Sequence, residues 1–408
     1  MPDPMRIAIL SVHSCPTGPL GAKDTGGMSV YIRELAREMG RHGHTVDVYT
    51  RIHDSRDPQI VVLGQSARLI HLRAGADEVN KLELYSYLPE FASNLEDYRK
   101  NNGLYYDLIF SHYWLSGQAG EYLRERWGVP HVAMFHTLGA LKNDIGIGED
   151  DPELRLETER YLAQHCPHII ATTKKEREYL IERCGATREG VSVHPCGVNL
   201  ELFQTVEKQK ARQWLGLVGD KIILYVGRIE PLKGIDQLLK ALSLLHDGSS
   251  LRLVIIGGDN NSQDEVEKLQ SLARDLAIEE LVTFSGLVKQ EELPYFYSAA
   301  DVCVIPSHYE SFGLVALESL ACGTPVVATD VGDLKSIIRD GENGYVVRDN
   351  SPHRLAQKIA VLLNKSTYDI QSALLIRASV SRFSWSNIAE EIIREFQQLL
   401  AGYPALVP

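Results

Sequence analysis

The chain has 408 residues, 44% of them hydrophobic and 24% charged, and carries a formal net charge of −12. This length exceeds what one hydrophobic core usually supports, so two domains of an ordinary globular protein are expected. The negative charge disfavours a general nucleic-acid binder or a binder of anionic membranes, because both need a basic surface. Since no apolar run approaches the ~20 residues that cross a bilayer, an integral membrane segment is not expected.

The cysteines and the N-terminus indicate a cytoplasmic protein. The first apolar run, RIAIL, is too short for the core of a signal peptide. The cysteines form no C-x-x-C pair, and several lie in apolar runs, so reduced thiols are expected rather than disulfides or a zinc site. They are Cys15, Cys166, Cys184, Cys196, Cys303 and Cys322.

The chain opens with a strand at 6–12, a long loop rich in Gly and Pro, and a helix that starts near Met28. A further strand follows at 46–50. A strand–helix–strand unit with Gly26 and Gly27 at the helix start resembles a Rossmann phosphate-binding site. The sequence G-G-M-S departs from G-x-G-x-x-G, however, and the loop is too long for the usual tight turn. A nicotinamide cofactor is therefore disfavoured, and we expect the two glycines to let a ligand lie against the backbone.

The rest of the chain repeats the alternation of strands and helices in two series. In the first half, strand-like runs fall at 68–72, 108–111, 131–136, 169–172 and 191–194, with helices at 117–127 and 153–166 between them. After the polar segment EKQKARQW, a second series has strands at 222–227, 251–258, 282–286, 302–306, 325–329 and 344–347. Such alternation predicts parallel sheets covered on both faces.

We therefore expect an α/β protein with two doubly wound, Rossmann-like domains that face a central crevice. The predicted domains are 1–200 and 201–385, and the amphipathic helix 386–408 is expected to pack back on the first. In open α/β sheets, ligands bind at the carboxyl ends of the strands.

The prediction of a ligand site in the second domain is based mainly on the stretch 301–330. It contains a buried strand, a turn with Glu310, Ser311 and Gly313, a helix, and a second buried strand. We expect Ser311 to cap the helix and Gly313 to allow close approach to the backbone. A helix start after a strand attracts phosphate, and Glu310 and Glu318 on either side suit a ligand rich in hydroxyl groups.

Two cations follow the first strand of the second domain, in VGRIEPLKG. Arg228 offers forked donors to phosphate oxygens, and Lys233 offers a point charge. Both are expected at the sheet edge that carries Glu310.

Several segments resemble retaining glycosyltransferases of the GT-B fold. They are GRIEPLKG, ESFGLVALE, ACGTPVVAT and TGGMSVYIRELA, and they extend over nearly the whole chain. Within that superfamily the chain resembles the group that includes the mycothiol-pathway N-acetylglucosaminyltransferase and sucrose-phosphate synthase. The segments SHYWLSG and HTLGALKN are especially similar to the mycothiol-type enzyme.

The resemblance implies a UDP-sugar donor and assigns roles around it. Arg228 and Lys233 would neutralise the departing diphosphate, helped by the backbone amides of Ser311, Phe312, Gly313 and Leu314. Glu310 would hold sugar hydroxyls, Glu318 would hold the ribose, and His136 would lie beside the donor sugar. Gly26 and Gly27 would lie against the diphosphate from the first domain.

The resemblance also implies a phosphorylated small acceptor, held by Lys81, Tyr113, Thr137 and Arg155. The sequence does not decide between this acceptor and a hexose phosphate, a lipid or a polysaccharide. It also does not decide whether the protein forms a homodimer.

The family is usually described by a same-face mechanism, in which the leaving phosphate takes the acceptor proton. Because two cations can replace Mg²⁺ at the diphosphate and no D-x-D motif is present, we expect neither a metal nor another cofactor.

A non-catalytic sugar-nucleotide-binding protein on the same fold is the main alternative of another class. The complete set of Arg228, Lys233, Glu310 and Glu318 speaks against it, because a degenerate paralogue would often have lost one of them.

Overall fold

The computed structural model describes residues 4–20, 25–77, 79–217, 221–245, 250–259, 262–364 and 370–403. In these ranges the chain forms two sheets, each covered by helices. The prediction of two Rossmann-like α/β domains is confirmed. The described cysteines are free thiols, and all but Cys15 are buried. None of the helices in the described ranges is long and apolar enough to cross a bilayer.

The first sheet has eight strands in the order β3-β4-β2-β1-β5-β6-β7-β8. They are β1 (Arg6–Leu10), β2 (Thr45–Arg51), β3 (Ile60–Gly64), β4 (Ala67–Leu72), β5 (Leu108–His112), β6 (His131–Met134), β7 (His168–Ala171) and β8 (Val191–Val193). All neighbours are parallel except β3 and β4, which pair antiparallel. Its helices are α1 (Gly27–Arg41), α2 (Lys81–Leu84), α3 (Leu88–Asn101), α4 (Trp114–Trp127), α5 (Gly139–Asn143), α6 (Glu153–His165) and α7 (Lys174–Glu182).

The second sheet has six parallel strands in the order β11-β10-β9-β12-β13-β14. They are β9 (Lys221–Val226), β10 (Leu251–Ile256), β11 (Val282–Gly286), β12 (Val302–Ile305), β13 (Val326–Thr329) and β14 (Gly344–Val347). The helices of this half are α8 (Lys208–Leu215), α9 (Ile235–Leu245), α10 (Gln263–Asp275), α11 (Leu293–Ala299), α12 (Leu314–Ala321), α13 (Leu334–Ile337), α14 (Pro352–Leu363) and α15 (Ile370–Ala378), and α16 (Trp385–Gly402) ends the described chain.

Several inner strands are short apolar runs because helices cover both faces of their sheet. In β12 and β13 every residue is buried. Such runs exclude water from the sheet and leave the strand ends as the places where polar side chains can gather. The site described below is built from those ends.

The chain passes between its two sheets twice, and these two connecting segments lie side by side. The amide of Val198 donates to the Phe383 carbonyl at 2.7 Å, and the amide of Trp385 donates to the Val198 carbonyl at 3.3 Å. Arg377 donates to the Leu200 carbonyl at 2.7 Å. After this junction α16 returns to the first sheet, where the Phe396 ring packs 5.3 Å from that of Phe110.

Candidate active site

A cleft of about 400 Å³ lies between the carboxyl ends of the two sheets. Every residue predicted for the site lines it, with contributions from both halves of the chain. From the first half these are Gly26, Gly27, Lys81, Tyr113, His136, Thr137 and Arg155, and from the second Arg228, Lys233, Glu310, Ser311, Phe312, Gly313, Leu314 and Glu318. The parallel strands bring them together because their carboxyl ends share one edge.

The N-termini of two helices meet across this cleft. Gly26 is the N-cap of α1, and Gly313, with φ of 94°, is the N-cap of α12. A Cβ added to Gly27 would lie 3.2 Å from Cδ1 of Leu314, so the two helix starts are close neighbours. Free N–H groups and the positive ends of both helix dipoles therefore face the same space, which favours an anion.

The prediction that Ser311 caps α12 was wrong. The helix begins at Leu314, and no side chain among the described residues makes a capping hydrogen bond to it. Gly313 takes the cap position because its left-handed backbone turns the chain into the helix. A Cβ there would also lie only 2.4 Å from Cδ2 of Leu334, so space as well as conformation requires glycine.

Both predicted diphosphate cations have a carboxylate partner. The Nζ of Lys233 lies 2.6 Å from Oε1 of Glu310, which also accepts from the Ser307 hydroxyl at 3.0 Å. Nη2 of Arg228 lies 2.9 Å from Glu230, and the Arg228 side chain is 51% exposed. Lys233 is thus held in place, whereas Arg228 can reorient toward an incoming anion.

Glu318 is a buried carboxyl on α12. The Tyr297 hydroxyl donates to its Oε2 at 2.8 Å. Burial raises the pKa of Glu318 to about 7, although Tyr297 and Arg33 oppose the shift. The group is therefore poised between its neutral and ionised forms near neutral pH, and a ligand that donates hydrogen bonds would favour the ionised form.

Arg155 anchors the first-domain end of the cleft. Its guanidinium contacts Glu159 at 2.6 Å and Asp151 at 2.7 Å, and it donates to the Thr137 hydroxyl at 3.0 Å. The same group lies 4.8 Å from the centre of the Tyr113 ring. These contacts fix Arg155 beside the other predicted acceptor residues.

Lys81 and Lys142 add positive charge at this end. Lys81 lies 6.0 Å from the Tyr113 ring centre, and Lys142 forms an ion pair of 2.9 Å with Asp151. Both lysines line the cleft.

His136 follows β6 in a left-handed backbone conformation, with φ of 61°. Burial lowers the pKa of His136 to about 3, so its ring is neutral. A non-glycine residue held in this conformation is uncommon and indicates that its surroundings fix it in place.

The lining residues that were not predicted include His13, Thr172 and Tyr309. The His13 ring packs 4.3 Å from that of Tyr113, and burial followed by the charge of Lys81 lowers the pKa of His13. Burial raises the pKa of Tyr309. Thr172 directly follows β7, and His13 lies three residues after β1. This position near the carboxyl end of a strand is the signal that could have identified them.

Comparison with known proteins identifies the chain. Residues 25–202 match the model described as "Glycosyltransferase Family 4", and residues 207–374 match "Glycosyl transferases group 1". A D-inositol 3-phosphate glycosyltransferase of Mycobacteroides abscessus is 38% identical over 98% of this chain and 91% of the relative. The chain belongs to the family of group 1 glycosyltransferases that includes this relative.

A second relative and a solved structure support the same family assignment. A second D-inositol 3-phosphate glycosyltransferase, from Catenulispora acidiphila, is 39% identical over 95% of this chain and 93% of its own length. The solved structure of sucrose-phosphate synthase from Thermosynechococcus elongatus superposes with a TM-score of 0.89 at 33% identity, covering 97% of this chain and 99% of the other. This chain is therefore a GT-B glycosyltransferase, as the sequence motifs indicated.

Proposed function

We propose that this glycosyltransferase moves a hexosyl group from a UDP-hexose to a small phosphorylated polyol or sugar. One observation carries the proposal: basic side chains from both halves of the chain line the cleft. Arg228 and Lys233 come from the second half, where the N-termini of α1 and α12 line the same cleft, and Lys81, Lys142 and Arg155 come from the first half. The first set suits the diphosphate of a sugar nucleotide, and the second suits the phosphate of an acceptor.

The names of the relatives support a phosphorylated acceptor. One group is named for D-inositol 3-phosphate, and the structural neighbour is named for sucrose phosphate. Both names contain a small molecule that carries a phosphate.

In the proposed reaction, the bond between the anomeric carbon and the β-phosphate oxygen breaks, and an acceptor oxygen bonds to that carbon. The acceptor proton passes to the departing phosphate oxygen. Lys233 and Arg228 stabilise the charge that grows on the diphosphate. Lys233 lowers the barrier because its ion pair already holds it in position, and Arg228 turns toward the bound diphosphate. Glu310 holds sugar hydroxyls, Glu318 the ribose hydroxyls, and His136 lies beside the sugar.

Attack on the face that the diphosphate leaves would retain the anomeric configuration. A double displacement would need an available carboxylate as nucleophile. The carboxylates that line the described cleft are Glu230, Glu310 and Glu318. Glu230 pairs with Arg228, and Glu310 pairs with Lys233. Glu318 accepts a hydrogen bond from Tyr297. These pairings favour the same-face route.

Release of UDP from a panel of donors tests the proposal. UDP-glucose, UDP-N-acetylglucosamine and UDP-galactose would each be incubated with inositol 3-phosphate, fructose 6-phosphate, glucose 6-phosphate or the matching dephosphorylated compound. The proposal expects release that rises with one phosphorylated acceptor and not with its dephosphorylated form. Equal release with both forms would contradict an acceptor-phosphate site, and no release with any pair would contradict the proposed small acceptor.

A further inference from the structure

His112 and His136 form a pair of imidazoles at the edge of the cleft. His112 is the last residue of β5, and its Nδ1 lies 2.8 Å from Nε2 of His136. Both rings are buried, and of the two only His136 lines the cleft. Phe110 packs 4.2 Å from the His112 ring, and Tyr31 packs 5.2 Å from the His136 ring, so both rings are held in place.

The short contact allows two arrangements of protons. Burial lowers the pKa of both histidines, so each neutral ring carries one N–H. In the first arrangement, Nδ1–H of His112 donates to Nε2 of His136, and His136 carries its proton on Nδ1. In the second, Nε2–H of His136 donates to His112, and His112 carries its proton on Nε2.

The surroundings of His112 decide between them. Its Nε2 is buried and has no hydrogen-bond partner in the part of the chain that the structure describes. The second arrangement would place an unpaired N–H there, whereas the first leaves a bare lone pair. Buried N–H groups without an acceptor are rarer than unfilled acceptors, and they cost the free energy of desolvation.

We propose that His112 is a positioning residue that holds His136 in the tautomer with its proton on Nδ1. Nε2 of His136 is occupied by His112, so Nδ1 is the nitrogen left for a molecule in the cleft. His136 then offers a hydrogen-bond donor and no free lone pair. It can bind an oxygen of the transferred hexose, but it cannot take a proton from the acceptor.

This inference rests on the proposed function only in naming a hexose as the ligand. It also deepens the proposed mechanism, because it removes His136 as a general base and leaves the departing phosphate to accept the proton.

Nitrogen-15 NMR of the ligand-free protein tests the tautomer without any assay of activity. Protonated and bare imidazole nitrogens differ widely in chemical shift, and couplings to the ring protons distinguish Nδ1 from Nε2. Spectra of the wild type and of His136→Gln identify the signals of His136. The proposal expects a protonated Nδ1 and a bare Nε2, and a protonated Nε2 would overturn it whether or not the protein is a transferase.

A pair of variants tests the consequence for turnover. His112→Leu removes the donor, whereas His112→Asn can present an amide N–H near the position of Nδ1. We expect His112→Leu to lower kcat/KM for the sugar nucleotide about tenfold, the effect of one lost hydrogen bond. His112→Asn should recover most of that loss, and KM for the acceptor should change little in either variant. Equal losses in the two variants, or no loss in His112→Leu, would overturn the positioning role.

Discussion

Lys233 and Glu310 form an ion pair of 2.6 Å in the wall of the cleft, although the residues are 77 positions apart in the sequence. Lys233 ends the turn after β9, and Glu310 lies in the turn after β12. Adjacent parallel strands place these turns side by side. The pair fixes the Lys233 ammonium at the donor end of the cleft while no diphosphate is present.

Replacement of Lys233 by alanine should lower kcat about a hundredfold, because loss of one fixed donor to a developing oxyanion typically has that effect. The fold should be retained, since Lys233 lies at the surface of the cleft and not in the core. Lys240→Ala is the matched control, because Lys240 also pairs with a carboxylate, Asp236, at 3.0 Å but lies on α9 outside the cleft. Steady-state kinetics with thermal melts of both variants would check this, and wild-type kcat in folded Lys233→Ala would refute the diphosphate role.

The affinity for the sugar nucleotide should depend on pH through Glu318. Its pKa is raised to about 7 by burial, and ribose hydroxyls donate hydrogen bonds that the ionised carboxylate accepts best. Binding of a UDP-hexose, which has no group of its own that titrates near neutrality, should therefore strengthen as pH rises. The gain is up to about tenfold between roughly pH 6 and pH 8.

Calorimetric titrations with wild type and with Glu318→Gln would measure this dependence. The variant keeps the size of the side chain but cannot ionise, so its affinity should be lower at high pH and nearly flat with pH. The same pH dependence in both proteins would exclude Glu318 as its source.

Addition of one methyl group at Gly26 should impair donor binding without loss of stability. Among the residues that the structure describes, no heavy atom lies within 4 Å of a Cβ on Gly26 or on Gly402, and of these two glycines Gly26 lines the cleft. Gly26→Ala would fill space proposed for the diphosphate, so KM for the donor should rise about tenfold or more. Gly402→Ala, the matched control at the end of α16, should leave KM unchanged. Unaltered donor KM in Gly26→Ala would show that the diphosphate does not lie against this glycine.

Lys81 should act on the acceptor and not on the donor. Loss of a cation that binds a phosphate removes a charge-assisted hydrogen bond, so Lys81→Ala should raise KM for the phosphorylated acceptor about tenfold or more. Lys100→Ala is the control, since Lys100 is an exposed lysine of the same domain, paired with Glu96 at 3.1 Å. Initial rates with each substrate varied would separate the two effects, and an increase in donor KM alone would contradict the assignment.

Removal of divalent metal should leave turnover intact. We propose that Arg228, Lys233 and the two helix N-termini supply the positive charge that a metal ion gives the diphosphate in other transferases. Activity after dialysis against EDTA should match that of untreated enzyme. A loss that added Mg²⁺ or Mn²⁺ restores would show that these groups are insufficient.

The sequence predicted the architecture well because buried parallel strands are recognisable locally. After its first residue, Lys221, the run KIILYV of β9 is apolar and lies between polar segments, so its place in a covered sheet follows from its composition. Strand β3 was not predicted. Its run IVVLG is as apolar as those of the inner strands, but it is an edge strand that pairs antiparallel with β4 and leaves Ile60 and Val62 exposed, so it does not fit the alternation of buried parallel strands and helices on which the prediction was based.

Some features of the candidate site could also be predicted from the sequence, and others could not. The turns that carry Arg228 and Glu310 could be placed at the same sheet edge, because each follows a recognisable strand. The cap of α12 could not be read correctly, because Ser311 and Gly313 are both acceptable at a helix start. The left-handed backbone of Gly313 and its packing against Leu334 decide between them. The contact between His112 and His136 was not predictable, because it depends on the register of β5 and β6.

Identification of the product would test the central claim most directly. The enzyme would be incubated with an α-linked UDP-hexose labelled with ¹³C at the anomeric carbon, together with the phosphorylated acceptor that stimulates UDP release. The account predicts a new α-configured glycoside of that acceptor in the NMR spectrum, with its phosphate still attached. A β-configured product would contradict the same-face route, and free hexose as the only labelled product would contradict transfer to the acceptor.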